Sequence, residues 1–315
     1  MKKLTILLII VVAFLVAGFF WYQNGLAPVN KKDTAQKSFI IPRGAPLREI
    51  ANDLKEQGLI KDPVAFFLFI KIDGVDQDIQ AGNFMLSPSL SSKEIAEILT
   101  TGVLDVWVTI PEGKRADEVA DILSESIPSY DESWRAELNA NEGYLFPDTY
   151  LIPRDATLEQ IITLMRGNFD TKYASLDSSN SNLTQEEVVI IASMIEREVR
   201  HQEDLRTVSS VIDNRLEIDM PLQIDATIQY AKGVSGNWWS PVKVSEYQSV
   251  KSDYNTYLNP GLPPGPIANP GINALQAALN PESTDYFYYI TDKSGTNRYA
   301  KTLDEHNENI QRYGL

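Results

Sequence analysis

The sequence predicts an α+β fold: an N-terminal transmembrane helix, a small strand-turn-helix module, and a larger domain of mixed helices and short strands. Three observations carry this. A charge-free apolar run stands near the N-terminus, and a strand-turn-helix pattern occurs twice at a fixed offset. Beyond it, helical periodicities and short aromatic or β-branched runs follow each other with no regular β-α alternation.

Lys2 and Lys3 precede the run Leu4 to Tyr22, which carries no charge in its 19 residues. As a helix it is about 28 Å long, close to the hydrocarbon thickness of a bilayer. The leading lysines favour the cytoplasmic side, so the expectation is a single-pass cytoplasmic-membrane protein with its body on the extracytoplasmic side. Trp21 and Tyr22 suit the outer interface. The competing reading is a signal peptide cut near Ala17-Gly18, which leaves Phe19 to Tyr22 as an apolar stub. Residues 1–22 are therefore read as the anchor. Residues 23–37, polar and interrupted by Pro28, are read as a linker.

The repeat defines the module, residues 38–105. Phe39-Ile40-Ile41-Pro42-Arg43-Gly44 leads into Leu47, Ile50, Ala51 and Leu54; 69 residues on, Val108-Thr109-Ile110-Pro111-Glu112-Gly113 leads into Asp117-Glu118-Val119-Ala120 and Leu123. Each reads as a strand, a Pro-x-Gly turn and an amphipathic helix, since proline presets one backbone angle and glycine supplies the permissive one. Between them, residues 82–86 read as a strand and the stretch from Ser91 or Ser92 to Leu99 as a helix. The unit resembles the LysM-type module that binds cell-wall glycan, although a strand-turn-helix repeat also serves as plain scaffold.

In residues 106–315 the clearest element is a helix from Gln185 to about Arg200, opened by a Thr184–Glu187 capping-box pair. Val188, Ile191, Ala192, Ile195 and Val199 recur at helical spacing as its buried stripe. Glu196 falls on the flank of that stripe, beside Ala192 and Val189, where partial desolvation favours the protonated form and suits a general acid. Glu198 points the other way and is expected in solvent. Residues 173–182 read as a loop. After a further helix comes a long Pro-, Gly-, Asn- and aromatic-rich region, with strand signals at Tyr286–Thr291.

Composition bounds the chemistry. An apolar fraction of 43% with 23% charge is that of a globular chain. A net charge of −15 argues against a nucleic-acid partner, which would call for a basic face. Without cysteine there is no disulfide and no thiolate chemistry. His201 and His306 match no metal-ligand spacing; a carboxylate-only metal site stays open with nothing pointing to one, and no cofactor is expected.

Ile190-Ile191-Ala192-Ser193-Met194-Ile195-Glu196-Arg197-Glu198 resembles the catalytic helix of the MltG (YceG-like) family of endolytic murein transglycosylases. Other blocks resemble the family in order and spacing: Glu142-Gly143-Tyr144-Leu145-Phe146-Pro147-Asp148-Thr149-Tyr150, Asn214-Arg215-Leu216, Leu222-Gln223 with Asp225, Tyr254-Asn255-Thr256-Tyr257, Gly261 to Ile267, and Asn269-Pro270-Gly271. Two positions depart from the family pattern: Ala226 stands for a usual proline, and Ile224 for a small polar residue.

The resemblance implies that residues 106–315 form a catalytic domain that cleaves the MurNAc-GlcNAc bond of nascent peptidoglycan, with Glu196 as the single acid/base. Glu196 protonates the bridging oxygen, then deprotonates the muramoyl 6-hydroxyl, leaving a 1,6-anhydro end and using no water. Such a cut sets strand length and implies partnership with cell-wall synthases. Gln223 and Asn255 are suited to sugar hydroxyls and N-acetyl groups. Tyr144, Tyr254 and Tyr257 read as ring platforms or core. Asp225 is expected to influence the proton affinity of Glu196 or to help stabilise positive charge, and Glu142 to shape the cleft as an accessory or to cap a helix. Asp148 is expected to be structural, Gly261–Gly271 a turn or a cleft loop, and Trp238 and Trp239 to meet glycan or membrane. A hydrolytic muramidase on the same scaffold and a non-catalytic glycan-binding scaffold stay open.

Overall fold

The computed structural model describes residues 2–102, 105–179, 181–199 and 201–313. The chain is mixed α and β, and it divides into two compact units: residues 1–108 with 150–155, and residues 109–149 with 156–315.

The first unit opens with α1 (Lys2–Leu26), which is long and apolar enough to cross a membrane. Strands β1 (Lys37–Ile41) and β2 (Gly82–Leu86) pair antiparallel, from Lys37 opposite Leu86 to Ile41 opposite Gly82. The sheet continues through β3 (Asp105–Thr109) to β4 (Thr149–Pro153) in the order β1-β2-β3-β4. Alternation puts Phe39 and Ile41 of β1, and Phe84 and Leu86 of β2, on one buried face. Helices α2 (Leu47–Glu56), α3 (Pro63–Asp73) and α4 (Ser92–Thr101) supply Leu54, Phe66, Ile70, Ile95 and Leu99 to the same core.

Two findings here differ from expectation. The helix of the anchor does not stop at residue 22. It runs to Leu26, which is buried, and Trp21 Nε1 donates to Asp62 at 3.0 Å. The first part of the expected linker is thus the last turn of a docked helix, and Asn30 N–H also bonds the Pro88 carbonyl at 2.9 Å. Second, α3 carries no periodic signal, because its run Val64-Ala65-Phe66-Phe67-Leu68-Phe69-Ile70 is apolar on every side. Its ends are marked nevertheless: Asp62 accepts from Val64 and Ala65 N–H, and Gly74 closes it in the left-handed region.

The second unit is built round α8 (Gln185–Glu198). Before it come α5 (Ala116–Ser126), α6 (Trp134–Asn139) and α7 (Leu158–Ala174). After it come α9 (Leu205–Glu217), α10 (Asp225–Lys232), the single turn α11 (Glu246–Ser249), α12 (Ile272–Leu279), the hairpin β5 (Tyr288–Thr291) and β6 (Asn297–Ala300), and α13 (Leu303–Tyr313). Helix α8 packs against α9, α10 and α12, and every residue from Val188 to Ile195 is buried. The expected one-sided stripe is therefore a helix enclosed all round. Even Ser193 is internal; its hydroxyl donates to the Ile190 carbonyl and accepts from Ile267 N–H. The loop expected from Tyr173 starts two residues later, since α7 runs to Ala174. Arg200, the expected helix end, and Asn180, within the expected loop, lie outside the described residues.

Candidate active site

A helix buried along its length can present a polar side chain only where it emerges. Helix α8 emerges at its last turn, at Glu196, Arg197 and Glu198. Glu196 Oε2 accepts from Gly271 N–H at 3.0 Å, at the start of α12. Burial pushes the Glu196 carboxyl up, and the neighbouring Glu112 pushes the same way; the Gly271 N–H and Arg197 oppose them. The carboxyl opens into a small cavity of about 160 Å³ shared with Glu112, His201, Gln202 and Asn273.

Glu112 was not singled out from sequence. It stands in the Pro-x-Gly turn of the second repeat and is solvent-exposed. A methyl group added at Gly271 would lie 1.9 Å from Glu112 Oε1, so both carboxyl groups converge on this one glycine. The only signal in sequence was an acid in a turn, which is ordinary.

Three segments distant in sequence are sewn together beneath the site by Asn269, which is fully buried. Its Nδ2 donates to the Lys114 carbonyl at 2.9 Å and to Glu142 Oε1 at 3.2 Å, while its Oδ1 accepts from Leu145 N–H at 2.9 Å. Gly113 N–H in turn donates to the Asn269 carbonyl. Glu142 is buried, accepts from Ala116 N–H at the start of α5, and lies within 3.4 Å of the Tyr230 hydroxyl. Burial pushes its carboxyl up to about 8. It is an internal bracket at the start of α5, which matches the helix-capping alternative and not the accessory place in the cleft. Gly143 beside it has φ +85°, and a side chain there would strike Pro266 and Val189.

Arg197 donates to the Gly113 carbonyl at 3.3 Å and lies over the Trp239 ring at 3.8 Å. The Trp239 and Trp238 indoles donate to Glu118 and Asp121 of α5, and Arg115 lies over Trp238 at 4.8 Å. Each ring thus has a guanidinium over it and an indole N–H fixed on α5. Trp239 braces Arg197, the residue next to Glu196.

The other expected site residues divide into two groups. Gln223, Asp225 and Tyr257 meet in a second cavity of about 630 Å³ together with Glu198 and Tyr289. Tyr257 stacks on Tyr247 with centroids 4.1 Å apart and donates to Asp225 at 2.7 Å. Glu198 corrects the expectation of a solvated charge. Its carboxyl is enclosed and accepts from the Tyr289 hydroxyl at 3.0 Å, because the hairpin β5–β6, invisible to a helical wheel, covers that side. The remaining residues are internal or elsewhere. Asn255 is fully buried; its amide donates to the Tyr247 and Val250 carbonyls and its oxygen accepts from Tyr257 N–H, so it shapes the loop instead of facing a sugar. Tyr254 packs on Tyr230, and Tyr144 lies between Phe169 and Arg166. Asp148 accepts from Thr149 N–H and Asn168, a structural part.

With this geometry in view, the chain is similar to proteins that have been named. The endolytic murein transglycosylase of Bacillus subtilis is 33% identical over 333 residues, which cover 95% of this chain and 91% of that protein. The protein of the same name from Streptococcus pneumoniae is 30% identical over 98% of this chain, but the chain spans only 65% of that relative's length. The crystal structure of a yceG-like protein from Listeria monocytogenes, 31% identical, superposes with a TM-score of 0.58 over 87% of this chain and 99% of that one. A family model described as YceG-like matches residues 39–312, and the chain belongs to the YceG-like family.

Proposed function

We propose that this chain is a peptidoglycan lytic transglycosylase that cleaves the MurNAc-GlcNAc bond within nascent strands and leaves 1,6-anhydro-muramoyl ends. The observation that carries the reading is Glu196, a carboxyl with raised proton affinity at an open cavity, in a family whose named relatives are endolytic murein transglycosylases. Its Oε2 accepts from Gly271 N–H, so the proton belongs on the other oxygen, free to reach a glycosidic oxygen. Donation of that proton breaks the C1–O bond and leaves an oxocarbenium-like centre. The carboxylate so formed takes the proton of the muramoyl 6-hydroxyl as O6 bonds to C1. The proton balance closes on Glu196, and no water is consumed. Glu112, exposed beside it, is suited to facing the transient positive charge.

Glu112 also favours a second reading. Two carboxyl groups at one site are the equipment of a hydrolase, in which one of them activates water. The products discriminate. Peptidoglycan is digested with the full chain in detergent micelles and with its Glu196→Gln variant, and the muropeptides are weighed. Products lighter by one water and absent with the variant support the transglycosylase. Reducing muramic acid ends instead mean a hydrolase, and cleavage that survives Glu196→Gln removes Glu196 from the mechanism.

On this reading α1 anchors the chain in the cytoplasmic membrane with its body outside, near newly made strands and the synthases that extend them. We also read the first unit as a LysM-like module and a second place for glycan to bind.

A further inference from the structure

Helix α3 lacks a polar outer face. Its inner residues Ala65, Phe66, Phe69 and Ile70 are buried in the first unit, yet Val64, Leu68 and Ile72 are exposed, with Phe67 half-buried beside them. These four lie within a sector of about 140° at 100° per residue. Lys71 is the one charge among them, and its ammonium is drawn to Asp76 past the end of the helix. A surface helix ordinarily turns its charged residues to this side. A contiguous apolar patch in their place marks a surface that meets something other than water.

What it meets follows from where α3 stands on α1. Asp62, which caps α3, accepts from Trp21 Nε1 at 3.0 Å, and a methyl group added at Gly25 would lie 2.7 Å from Ala65 Cβ. At the other end of α3, the charge of Asp73 acts on the Tyr22 hydroxyl. Eleven helical residues span about 16 Å. Both ends of α3 thus reach adjacent residues of α1, so α3 crosses α1 at that level instead of running alongside it. Residues 9–20 of α1 are all exposed, and α1 joins the core only from Tyr22 onward. The body of the first unit therefore lies beyond Trp21, a residue type suited to the bilayer interface. Helix α3 is its layer next to the span, and the outer face of α3 looks back toward the exposed stretch.

We propose that this face of α3, formed by Val64, Phe67, Leu68 and Ile72, rests on the membrane that α1 crosses, at the boundary of headgroups and acyl chains. The inference rests on α1 spanning a membrane and not on the glycan-cleaving reading. Beside the stripe a groove of about 340 Å³ runs between α2 and α3, lined by Arg48, Ala51, Asn52, Pro63, Val64 and Phe67. The exposed Arg48 guanidinium lies 5.4 Å from the Phe67 ring centre, which sets a cation at the rim for a lipid phosphate while its stem covers apolar surface. Helices α2 and α3 together carry three basic and four acidic residues. The contact is therefore apolar and calls for no anionic lipid.

The test places the full chain in lipid nanodiscs. The chain has no cysteine, so Leu68→Cys and Ile72→Cys each carry one thiol for a nitrobenzoxadiazole fluorophore. Ile40→Cys is the control, also apolar and exposed, but on the side of β1 turned away from the core and its helices. An interfacial face sits about 5–10 Å into the boundary, so phosphatidylcholine with a doxyl group high on its acyl chain should dim the Leu68 and Ile72 labels about twofold or more. The Ile40 label should stay bright with that lipid and be the one that aqueous iodide quenches. The same pattern is expected when phosphatidylglycerol replaces part of the phosphatidylcholine. Iodide reaching Leu68 and Ile72 as freely as Ile40 overturns the proposal and leaves the cleavage reading, judged by its products, untouched. Labels shielded from both quenchers would mean that protein covers the face, and dimming only with phosphatidylglycerol would mean an electrostatic contact; either overturns it. A chain that does not enter nanodiscs has no span, and the proposal falls with it.

Discussion

Burial alone does not set the proton affinity of Glu196. Burial, the larger influence, acts with Glu112 to raise it, and the Gly271 N–H and Arg197 oppose them. Gly271 permits this, since any larger residue would meet the Glu112 carboxyl. In the proposed role of general acid Glu196 works only while protonated, so on that reading the alkaline limb of kcat/KM reports this balance. Replacing Glu112 with Gln removes a negative charge, lowers the proton affinity of Glu196 and moves that limb toward lower pH. Because Glu112 is exposed and screened, the shift is expected to be modest, and smaller in high salt. An alkaline limb that stays in place in Glu112→Gln would show that the two carboxyl groups do not communicate.

At the scale of elements, the site depends on how the start of α5, the 142–145 turn and the start of α12 are tied through Asn269 and Glu142. Glu142 makes the tie sensitive to pH. Its folded value is pushed up to about 8 from an ordinary 4.5, so between these the folded chain keeps a proton that the unfolded chain releases. Stability from this group is full below about 4.5 and declines as pH rises through 8, at up to about 1.4 kcal/mol per pH unit. Glu142→Gln stays neutral throughout, so its melting midpoint should fall less than that of the parent between pH 5 and pH 8; parallel curves would show that Glu142 does not hold the proton. Sequence made part of this legible. The capping box at Thr184 and the start of α8 follow from local spacing. Glu112 does not, because Gly271, 159 residues away, brings it to the site only in the fold. Asn255 misled because a loop has no period to separate inward from outward amides. Helix α3 escaped because a helix apolar on all sides has none either.

For the molecule as a whole, the open question of sequence is which side of a membrane the second unit faces. Helix α1 is long and apolar enough to span, and two lysines precede its apolar stretch. The burial of Leu26 and the bond from Trp21 to Asp62 tie the end of α1 to the rest of the first unit. Cutting at Ala17-Gly18 would leave that docked end on the mature chain, so intact mass distinguishes anchor from signal peptide. Orientation can be read cleanly because the chain has no cysteine, so one introduced thiol is the sole target for a maleimide. Lys251, exposed in the second unit, is replaced by Cys in one variant, and Lys2 in another. If leading positive charge holds the N-terminus inside, a membrane-impermeant maleimide should label Lys251→Cys in intact cells and Lys2→Cys only after permeabilisation. The reverse pattern would put Glu196 on the cytoplasmic side, away from peptidoglycan, and would rule out the glycan-cleaving reading on grounds of location alone.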